Sequence, residues 1–191
     1  MDNKNLYMVI DIDKCWGCMA CRVACKQEHD MPAESSGNID VVKIEQKDEN
    51  GRLHCDFVPV MCQHCSSPAC LEACPANAIS KNEEQLVCID QECCIGCGSC
   101  FDACPYGCVS LQAAAAGEKA QKCDLCISRR EKGFLPSCEQ HCLGGAFKSC
   151  HEEKMQELIR ERYHYQTGSI VYVSSKLADL GKHLKLFAAG N

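Results

Sequence analysis

The chain alternates short apolar stretches with polar loops, and the apolar stretches have the length of strands. Runs of β-branched and other apolar residues predict strands over Tyr7 to Ile12, Ile39 to Ile44, Leu53 to Val60 and Ile170 to Val173. A shorter strand is predicted over Ala146 to Lys148. Brief strands separated by loops are typical of a small mixed fold.

The residues from Pro75 to Cys93 predict a β-hairpin. Ala78 and Ile79 begin it, Lys81 to Gln85 supply a polar turn, and Leu86 to Asp90 form the returning strand.

Two other segments predict connections. Met31 to Asn38 contains Pro, Ser and Gly and predicts a loop. Ala113 to Gly117 holds four alanines and a glycine. We expect a small-residue connector there, with a short exposed helix as the alternative.

Two segments late in the chain have helical spacing. Glu152 to His164 is polar and carries a helical stripe, and Lys176 to Phe187 predicts an amphipathic helix. The two stripes are Met155, Leu158, Ile159 and Arg162, and then Leu177, Leu180, Leu184 and Phe187. An amphipathic stripe packs against its own domain or a partner subunit more often than against a membrane.

Composition changes this picture, because material for an ordinary apolar core is thin. Aromatic residues make up 6 % of the chain, whereas cysteine accounts for 21 of its 191 residues. Small folds with too little core are commonly stabilised by bound metal. A stabilising metal group is therefore expected.

Charge and hydropathy argue against two classes of partner. The net charge is −6, which gives no electrostatic case for binding nucleic acid. No apolar run reaches about eighteen residues, so no direct membrane span is predicted. Met1 to Asn5 lacks a charged region followed by an apolar stretch, so no secretory signal is visible.

The density of cysteine is compatible with three kinds of chemistry. A secreted disulfide scaffold does not fit an odd number of cysteines in tight local groups. Structural zinc usually takes two separated C-x₂₋₄-C pairs, which does not explain four cysteines so close together. Iron–sulfur clusters are the third possibility, and the spacing favours them.

Sixteen cysteines fall into four groups with one underlying spacing. Groups one and three read C-x₂-C-x₂-C-x₃-C, whereas the middle gap has two extra residues in group two and eleven residues in group four. In chain order, the groups are Cys15, Cys18, Cys21 and Cys25; Cys62, Cys65, Cys70 and Cys74; Cys94, Cys97, Cys100 and Cys104; and Cys123, Cys126, Cys138 and Cys142. Three thiolates of one loop can wrap a [4Fe–4S] cube. In bacterial two-cluster ferredoxins the fourth cysteine ligates the other cluster.

Glycine and proline near the groups fit this interpretation. Gly17, Gly96 and Gly98 are expected to let the loops approach the inorganic core. Pro75 and Pro105 turn the chain after the fourth cysteine of their groups. An ordinary helix end or turn, unrelated to a cluster, explains these prolines equally well.

Five cysteines lie outside the groups: Cys55, Cys88, Cys93, Cys108 and Cys150. Cys55 and Cys88 lie in strand-like stretches and are expected to be small buried apolar residues. Cys93 competes with Cys94 for group three, but only Cys94 keeps the spacing to Cys97. Spare thiols favour a reducing environment.

Short motifs around the groups carry a resemblance to a known family. They are Asp11-Ile12-Asp13-Lys14-Cys15, Cys104-Pro105-Tyr106-Gly107, Lys122-Cys123-Asp124-Leu125-Cys126, and Arg129-Arg130-Glu131-Lys132-Gly133 followed by Pro136 and Cys138. Over about residues 7 to 150 the chain resembles the four-cluster, ferredoxin-like iron–sulfur (beta) subunits of molybdopterin oxidoreductase complexes, of the dimethyl-sulfoxide, polysulfide and nitrate reductase type. It departs from them at Cys142-Leu143-Gly144-Gly145, where many relatives have Cys-Pro.

The resemblance implies four [4Fe–4S] clusters on sixteen cysteine ligands, in four sets that we name A to D. Set A is Cys15, Cys18, Cys21 and Cys142; set B is Cys25, Cys123, Cys126 and Cys138; set C is Cys62, Cys65, Cys70 and Cys104; set D is Cys74, Cys94, Cys97 and Cys100. Some relatives replace a group-three cysteine and hold a three-iron cluster, but here every position is cysteine.

The expected fold is α+β, with two bacterial-ferredoxin-like 2[4Fe–4S] modules, small β-hairpins and short helices, one module nested in the other. The predicted hairpin joins groups two and three into the module of residues 55–108. Groups one and four are left to close the module of residues 1–54 and 109–150. Residues 151–191 are expected to form a C-terminal extension that packs on the domain or on a partner subunit.

The expected function is electron transfer without catalysis by this chain, because no nucleophilic triad, phosphate loop or paired catalytic carboxylates is found. The resemblance implies a relay between a large molybdopterin (Mo/W) catalytic subunit, nearest set A, and an external donor or acceptor, nearest set D. One alternative is a polyferredoxin-type carrier for a hydrogenase, formate dehydrogenase or carbon monoxide dehydrogenase. Another is a zinc-stabilised interaction module. A separate membrane or soluble redox partner is left open. The compartment is left open as well: the chain is either cytoplasmic or exported together with a signal-bearing catalytic subunit.

A few other side chains are expected near the clusters. His64 and His141 are expected beside a cluster or at the surface rather than on iron, because the cysteine count is complete. Trp16 either shields a cluster or touches the partner. Four basic residues either raise cluster potentials or form a solvated face: Lys122, Arg129, Arg130 and Lys132.

Overall fold

The computed structural model describes residues 4–35, 37–47, 50–114, 117–179 and 181. Within these ranges the strands are β1 (Tyr7–Asp11), β2 (Ile39–Lys47), β3 (Leu53–Met61), β4 (Ile79–Lys81), β5 (Val87–Ile89), β6 (Val109–Ala114), β7 (Gly117–Lys122), β8 (Phe147–Cys150), β9 (Tyr163–Thr167) and β10 (Ile170–Ser174). The helices are α1 (Ala20–Glu28), α2 (Ala69–Glu72), α3 (Ser99–Asp102), α4 (Ile127–Glu131), α5 (Ser137–Gln140) and α6 (Glu152–Ile159). This mixture of short strands and helices confirms the α+β class.

A four-stranded sheet in the order β8-β1-β10-β9 brings the two ends of the chain together. β1 pairs in parallel with β10 and antiparallel with β8, and β9 pairs antiparallel with β10. Every residue of β1 and β10 is buried, because both faces of these strands are covered. The predicted strands at residues 7–12, 146–148 and 170–173 are confirmed within a residue or two.

The two faces of this sheet pack against different material. Alternate side chains of β1 and β10 point to opposite faces. Met8, Ile10, Ile170 and Tyr172 join a core that also contains cysteines of groups one, two and four. On the other face lie Tyr7, Val9, Val171 and Val173, packed against Met155 and Ile159 of α6.

A polar network fastens β10 to the segment that leads into group one. Arg162 donates hydrogen bonds to both carboxylate oxygens of Asp11, at 2.9 and 2.8 Å, and to Asp13 at 3.2 Å. Asp13 also accepts from the Ser174 hydroxyl at 2.6 Å and the Ser175 amide at 2.7 Å. Burial alone raises the pKa of Asp11, but Arg162 outweighs it and the pKa is lowered. Both aspartates therefore stay ionised and hold the loop against the sheet.

The remaining strands form three two-stranded hairpins: β2 with β3, β4 with β5, and β6 with β7. The hairpin predicted between groups two and three is confirmed, with Ile79 opposite Ile89. The strand predictions at residues 39–44 and 53–60 are confirmed, and both strands extend slightly further.

The predicted small-residue connector between groups three and four is instead part of a hairpin. β6 continues to Ala114 and β7 begins at Gly117, with Ala114 opposite Gly117. The prediction was wrong because alanine has weak strand propensity, whereas pairing of Leu111 with Ala120 and packing on the core below decide the conformation.

The predicted helix over residues 152–164 is shorter than expected. α6 ends at Ile159, Glu161 has a left-handed backbone (φ 59°), and β9 starts at Tyr163. Arg162 leaves the helical stripe because it binds Asp11 and Asp13. Most of the amphipathic helix predicted over residues 176–187 lies outside the described residues. Within the described ranges, no helix has both the length and the apolar composition to cross a bilayer.

Candidate metal centres

Each cysteine group is a loop followed by a short helix. The first two thiols lie on the loop, and the third lies on α1, α2, α3 or α5. Residues with left-handed backbone precede three of the helices: Met19 before α1, Gly98 before α3 and Cys126 before α4. At these positions the chain reverses direction between the loop and the helix that follows it.

Two of the loop glycines are required by close packing. Gly17 has φ 68°, and a Cβ there would lie 2.4 Å from the Phe57 ring. Gly96 has φ 69°, and its Cβ would meet the carbonyl of Glu118 on β7. The predicted left-handed backbone is confirmed, but the close neighbour in each case is another part of the protein.

Cys142 of group four lies beside the first three cysteines of group one. Burial raises the pKa of the Cys15 thiol, and the nearby charges of Cys142 and Cys18 raise it further. Burial likewise raises the pKa of Cys21 to about 12, with contributions from Cys15, Cys142 and Cys18. The structure therefore brings together all four thiols that the resemblance assigned to set A.

Cys25 of group one lies beside the first three cysteines of group four. Burial, then the charge of Cys126, raises the pKa of Cys25 to about 12. Burial also raises the pKa of Cys123 and Cys138, and the charge of Cys25 acts on both. These are the thiols of set B.

Cys104 of group three lies with the first three cysteines of group two. Burial raises the pKa of Cys70 to about 11, helped by the charges of Cys62, Cys104 and Cys65. Burial raises the pKa of Cys65 as well, followed by the charges of Cys62 and Cys104. The members of set C are thus neighbours.

The thiols of set D line one cleft. Cys74, Cys94, Cys97 and Cys100 surround a space of about 310 Å³, counting its open mouth, with Ile79 and Ile89 among the apolar walls. Burial raises the pKa of Cys100, and the charges of Cys94 and Cys74 add to it.

The four sets follow one another through the molecule. Between A and B, the charge of Cys21 acts on both Cys25 and Cys138. Between B and C lies Cys108, whose pKa is raised by its hydrogen bond with Cys104 and by burial, with further effects from Cys62 and Cys123. Between C and D, α2 packs against α3. These contacts link set A to set B, set B to set C, and set C to set D.

Backbone amides donate hydrogen bonds to the fourth cysteine of three groups, in each case from four residues further on. Ala78 donates to Cys74 at 3.4 Å, Cys108 to Cys104 at 3.4 Å, and Ala146 to Cys142 at 3.2 Å. The hydrogen bonds of Cys108 outweigh burial and lower the pKa of Cys104 to about 6. Amides directed at sulfur stabilise thiolates and raise the potential of a ligated cluster.

The donor set fits a soft metal centre. Four groups of four thiols offer sulfur alone, which suits iron–sulfur clusters, zinc or copper(I). The raised pKa of most buried thiols disfavours bare thiolates, so a bound cation is needed to hold them ionised together. A further trio, His29, Asp124 and Cys126, has ligand atoms within 4.8 Å of one another, but it shares the Cys126 thiol with set B.

Comparison with known proteins decides the family. The family profile of the 4Fe–4S dicluster domain matches residues 53–152, and that of the 4Fe–4S binding domain matches residues 12–28. This chain belongs to the 4Fe–4S dicluster domain family. The resemblance drawn from the cysteine spacing is thereby confirmed.

Several subunits of oxidoreductases are similar to this chain. The B subunit of the tetrathionate reductase of Archaeoglobus fulgidus is 44 % identical over 130 residues, which cover 68 % of this chain and 59 % of that protein. The B component of the anaerobic dimethyl sulfoxide reductase of Escherichia coli K12 is 34 % identical, covering 70 % of this chain and 67 % of that protein. The iron–sulfur subunit of the nitrate-inducible formate dehydrogenase of Escherichia coli K12 is 33 % identical, covering 81 % of this chain and 57 % of that protein. The chain therefore spans less than two thirds of the length of several of these relatives.

His64 is fully buried, rather than at the surface. It is 1 % exposed, and its Nδ1 accepts a hydrogen bond from the Val87 amide at 3.0 Å. Burial, followed by the charges of Lys122 and Arg130, holds its pKa well below the usual range. The neutral ring therefore carries its proton on Nε2, which has no hydrogen-bond partner among the described residues.

Two spare cysteines were expected to be buried, and neither is fully buried. Cys55 is exposed on β3, so the prediction that it is buried was wrong, whereas Cys88 is half-buried and Cys150 is buried. The position of Cys55 in β3 explains this, because residues 53–55 at the outer end of the hairpin are all exposed and Cys55 lies opposite Glu45. Cys93 is exposed, and Cys94 is buried in the core beside Cys100.

Proposed function

We propose that this chain is an electron-transfer subunit that carries four [4Fe–4S] clusters, one on each of sets A to D. The observation that carries the proposal is which of the sixteen thiols are exposed to solvent. Cys18 of set A and Cys97 of set D are exposed, whereas no thiol of sets B and C is exposed. A relay needs electrons to enter and leave at its ends, with its inner centres kept from water and oxidants.

The proposed organisation is two ferredoxin-like modules, one nested in the other. Residues 1–54 and 109–150 supply sets A and B, and residues 55–108 supply sets C and D. Residues 151–191 form the extension. Packing of this extension on the domain is supported by β9 and β10, which complete the sheet of β1 and β8.

The proposed partner at the set A end is a large molybdopterin-containing catalytic subunit. The names of the relatives support this, because they are subunits of reductases and of a dehydrogenase. Near this end, Trp16 is 65 % exposed and Leu143 is 73 % exposed. At the set D end, Ile95 is 66 % exposed, which suits a second contact with an external donor or acceptor. Exposed aromatic and aliphatic residues beside a redox centre are typical of a docking surface.

The first test is the metal content of anaerobically purified protein. About sixteen iron and sixteen acid-labile sulfide per chain are expected, with little zinc, since each cubane contributes four of each. Stepwise titration with a reductant should then take up one electron per cluster. Protein that holds about four zinc and no labile sulfide would instead be an interaction module stabilised by metal.

The second test addresses the partner and its position. In the complex purified anaerobically from its native cells, molybdenum or tungsten should accompany the chain in equal amount. Trp16→Ala should weaken this association by about 2 kcal/mol, roughly 30-fold, as loss of a central aromatic anchor does. Ile95→Ala is the matched control, with the same exposure at the opposite end, and should leave the association unchanged. The reverse pattern would assign the catalytic subunit to set D, and nickel in place of molybdenum would favour a hydrogenase carrier.

A further inference from the structure

Lys122 is a buried cation at the junction of the two modules. Its side chain lies at the end of β7 and the residue is 6 % exposed. Its Nζ donates hydrogen bonds to the carbonyls of Val87 and Cys123, the latter at 2.9 Å. Two of its three donors are thus satisfied by neutral acceptors.

These hydrogen bonds connect a ligand of set B with the loop of set C. Cys123 is a thiol of set B. Val87 accepts from Lys122 through its carbonyl and donates through its amide to Nδ1 of His64. His64 lies between Cys62 and Cys65, two thiols of set C. The ammonium therefore touches the framework of both inner centres.

No carboxylate neutralises this cation within the part of the chain that the structure describes. The neighbouring basic residues differ in this respect. Arg129 pairs with Glu28 at 2.7 Å, and Arg130 pairs with Glu84 at 2.7 Å, whereas Lys122 has no ion pair among the described residues.

A buried ammonium without a counter-charge is costly, so an anionic neighbour is expected. A cubane with four thiolates is anionic, and two such centres would flank Lys122 in the loaded protein.

The geometry points to Lys122 as the residue that sets the reduction potentials of the two inner clusters, on sets B and C, and so permits electrons to cross between the modules. This inference rests on the proposed function. Each cluster gains one electron and one negative charge on reduction, and no proton or bond change is required. A fixed cation nearby stabilises the reduced form and makes the midpoint potential less negative. Because Lys122 hydrogen-bonds to the backbone on both sides, it raises both inner potentials together and does not widen the step between them.

The test is redox potentiometry of the holoprotein, followed by electron paramagnetic resonance. The four signals are first assigned with ligand variants of each set. Lys122→Met removes the charge and keeps the length, and it should shift the midpoints of the B and C clusters to more negative values. The A and D clusters should move much less. Lys122→Arg keeps the charge and should stay near wild type.

Lys119, on the same strand, provides a matched control. Its Nζ donates to the carbonyls of Gln91 and Cys94, beside set D. Lys119→Met should therefore shift the D cluster and leave B and C in place. If Lys122→Met does not assemble, Lys122→Gln keeps one donor for a carbonyl without the charge, and the same shift is expected.

The outcomes separate this inference from the function it rests on. Wild-type midpoints for B and C in the neutral variants would overturn the role of Lys122 while leaving the four clusters intact. Equal shifts of all four clusters would also overturn it, because the effect would then be global. A wild-type protein without iron–sulfur signals would instead overturn the proposed function.

Discussion

Removing the iron should unfold the region around sets C and D and leave part of the β8-β1-β10-β9 sheet folded. The core of that region has eight buried residues among those described, and three of them are the ligand candidates Cys70, Cys94 and Cys100. Two others are alanines, so Ile79, Val87 and Val109 are the larger aliphatic residues. Without a bound cluster, so little apolar burial cannot offset the conformational entropy of ordering the chain.

The sheet differs because one of its faces has a core that is independent of the ligands. Tyr7, Val9, Val171 and Val173 pack against α6, and the one cysteine of this core, Cys150, belongs to no set. Burial of these side chains persists when iron is removed, at about 1.5–3 kcal/mol for each large aliphatic residue.

Hydrogen exchange tests which regions stay folded, with protein whose iron has been removed by a chelator under anaerobic conditions. Amides of β4 to β7 should lose protection by about a hundredfold or more, whereas those of β1 and β10 should remain measurably protected. The cluster-loaded protein treated with the same buffer without chelator is the control. If β4 to β7 stayed protected without iron, the clusters would not be part of that core.

Changing Cys142 to Ser should abolish the cluster of group one, although Cys142 belongs to group four in the sequence. Cys142 lies with Cys15, Cys18 and Cys21, so its loss leaves that cluster with three thiolates. Loss of a ligand that the chain cannot replace exposes the iron to solvent and oxidation. We therefore expect loss, or a large change, of one signal in electron paramagnetic resonance.

Comparison with two other variants identifies the missing signal. The signal lost in Cys142→Ser should be the one lost in Cys18→Ser, and not the one lost in Cys126→Ser. Cys150→Ser is the matched control, because Cys150 is buried in the apolar core beside α6 and should leave all four signals unchanged. A match between Cys142→Ser and Cys126→Ser would mean that each group fills its own cluster and that the nested sets are wrong.

Local chemistry made much of this protein predictable. The hairpin at Ile79 and Ile89 follows from two apolar runs around a polar turn, and the strands at both ends of the chain follow from β-branched runs. The left-handed backbone at Gly17 and Gly96 was also expected, since glycine tolerates this conformation and lets a loop approach closely.

Long-range packing accounts for what the sequence could not predict. Nothing in the local pattern indicates that Val9 pairs with Val171, because parallel pairing carries no turn signal. In the sequence, His64 looks like an ordinary loop residue. It is buried because Gly168, in the turn between β9 and β10, packs against its backbone. The four basic residues look alike in sequence. The positions of Glu28 and Glu84 set Lys122 apart from Arg129 and Arg130, and its burial sets it apart from the exposed Lys132.

The pairing of β1 also has a consequence for biosynthesis. Ribosomal synthesis is vectorial, and β1 emerges long before either of its neighbours, β8 and β10, has been made. Until Phe147 and Ile170 appear, this largely apolar strand has no partner, while the three hairpins between β1 and β8 are already complete. Nascent chains in this state expose an unpaired strand edge and are prone to aggregation. Premature termination just before β8 would therefore yield a product for chaperones and proteases, even with all four cysteine groups translated in full.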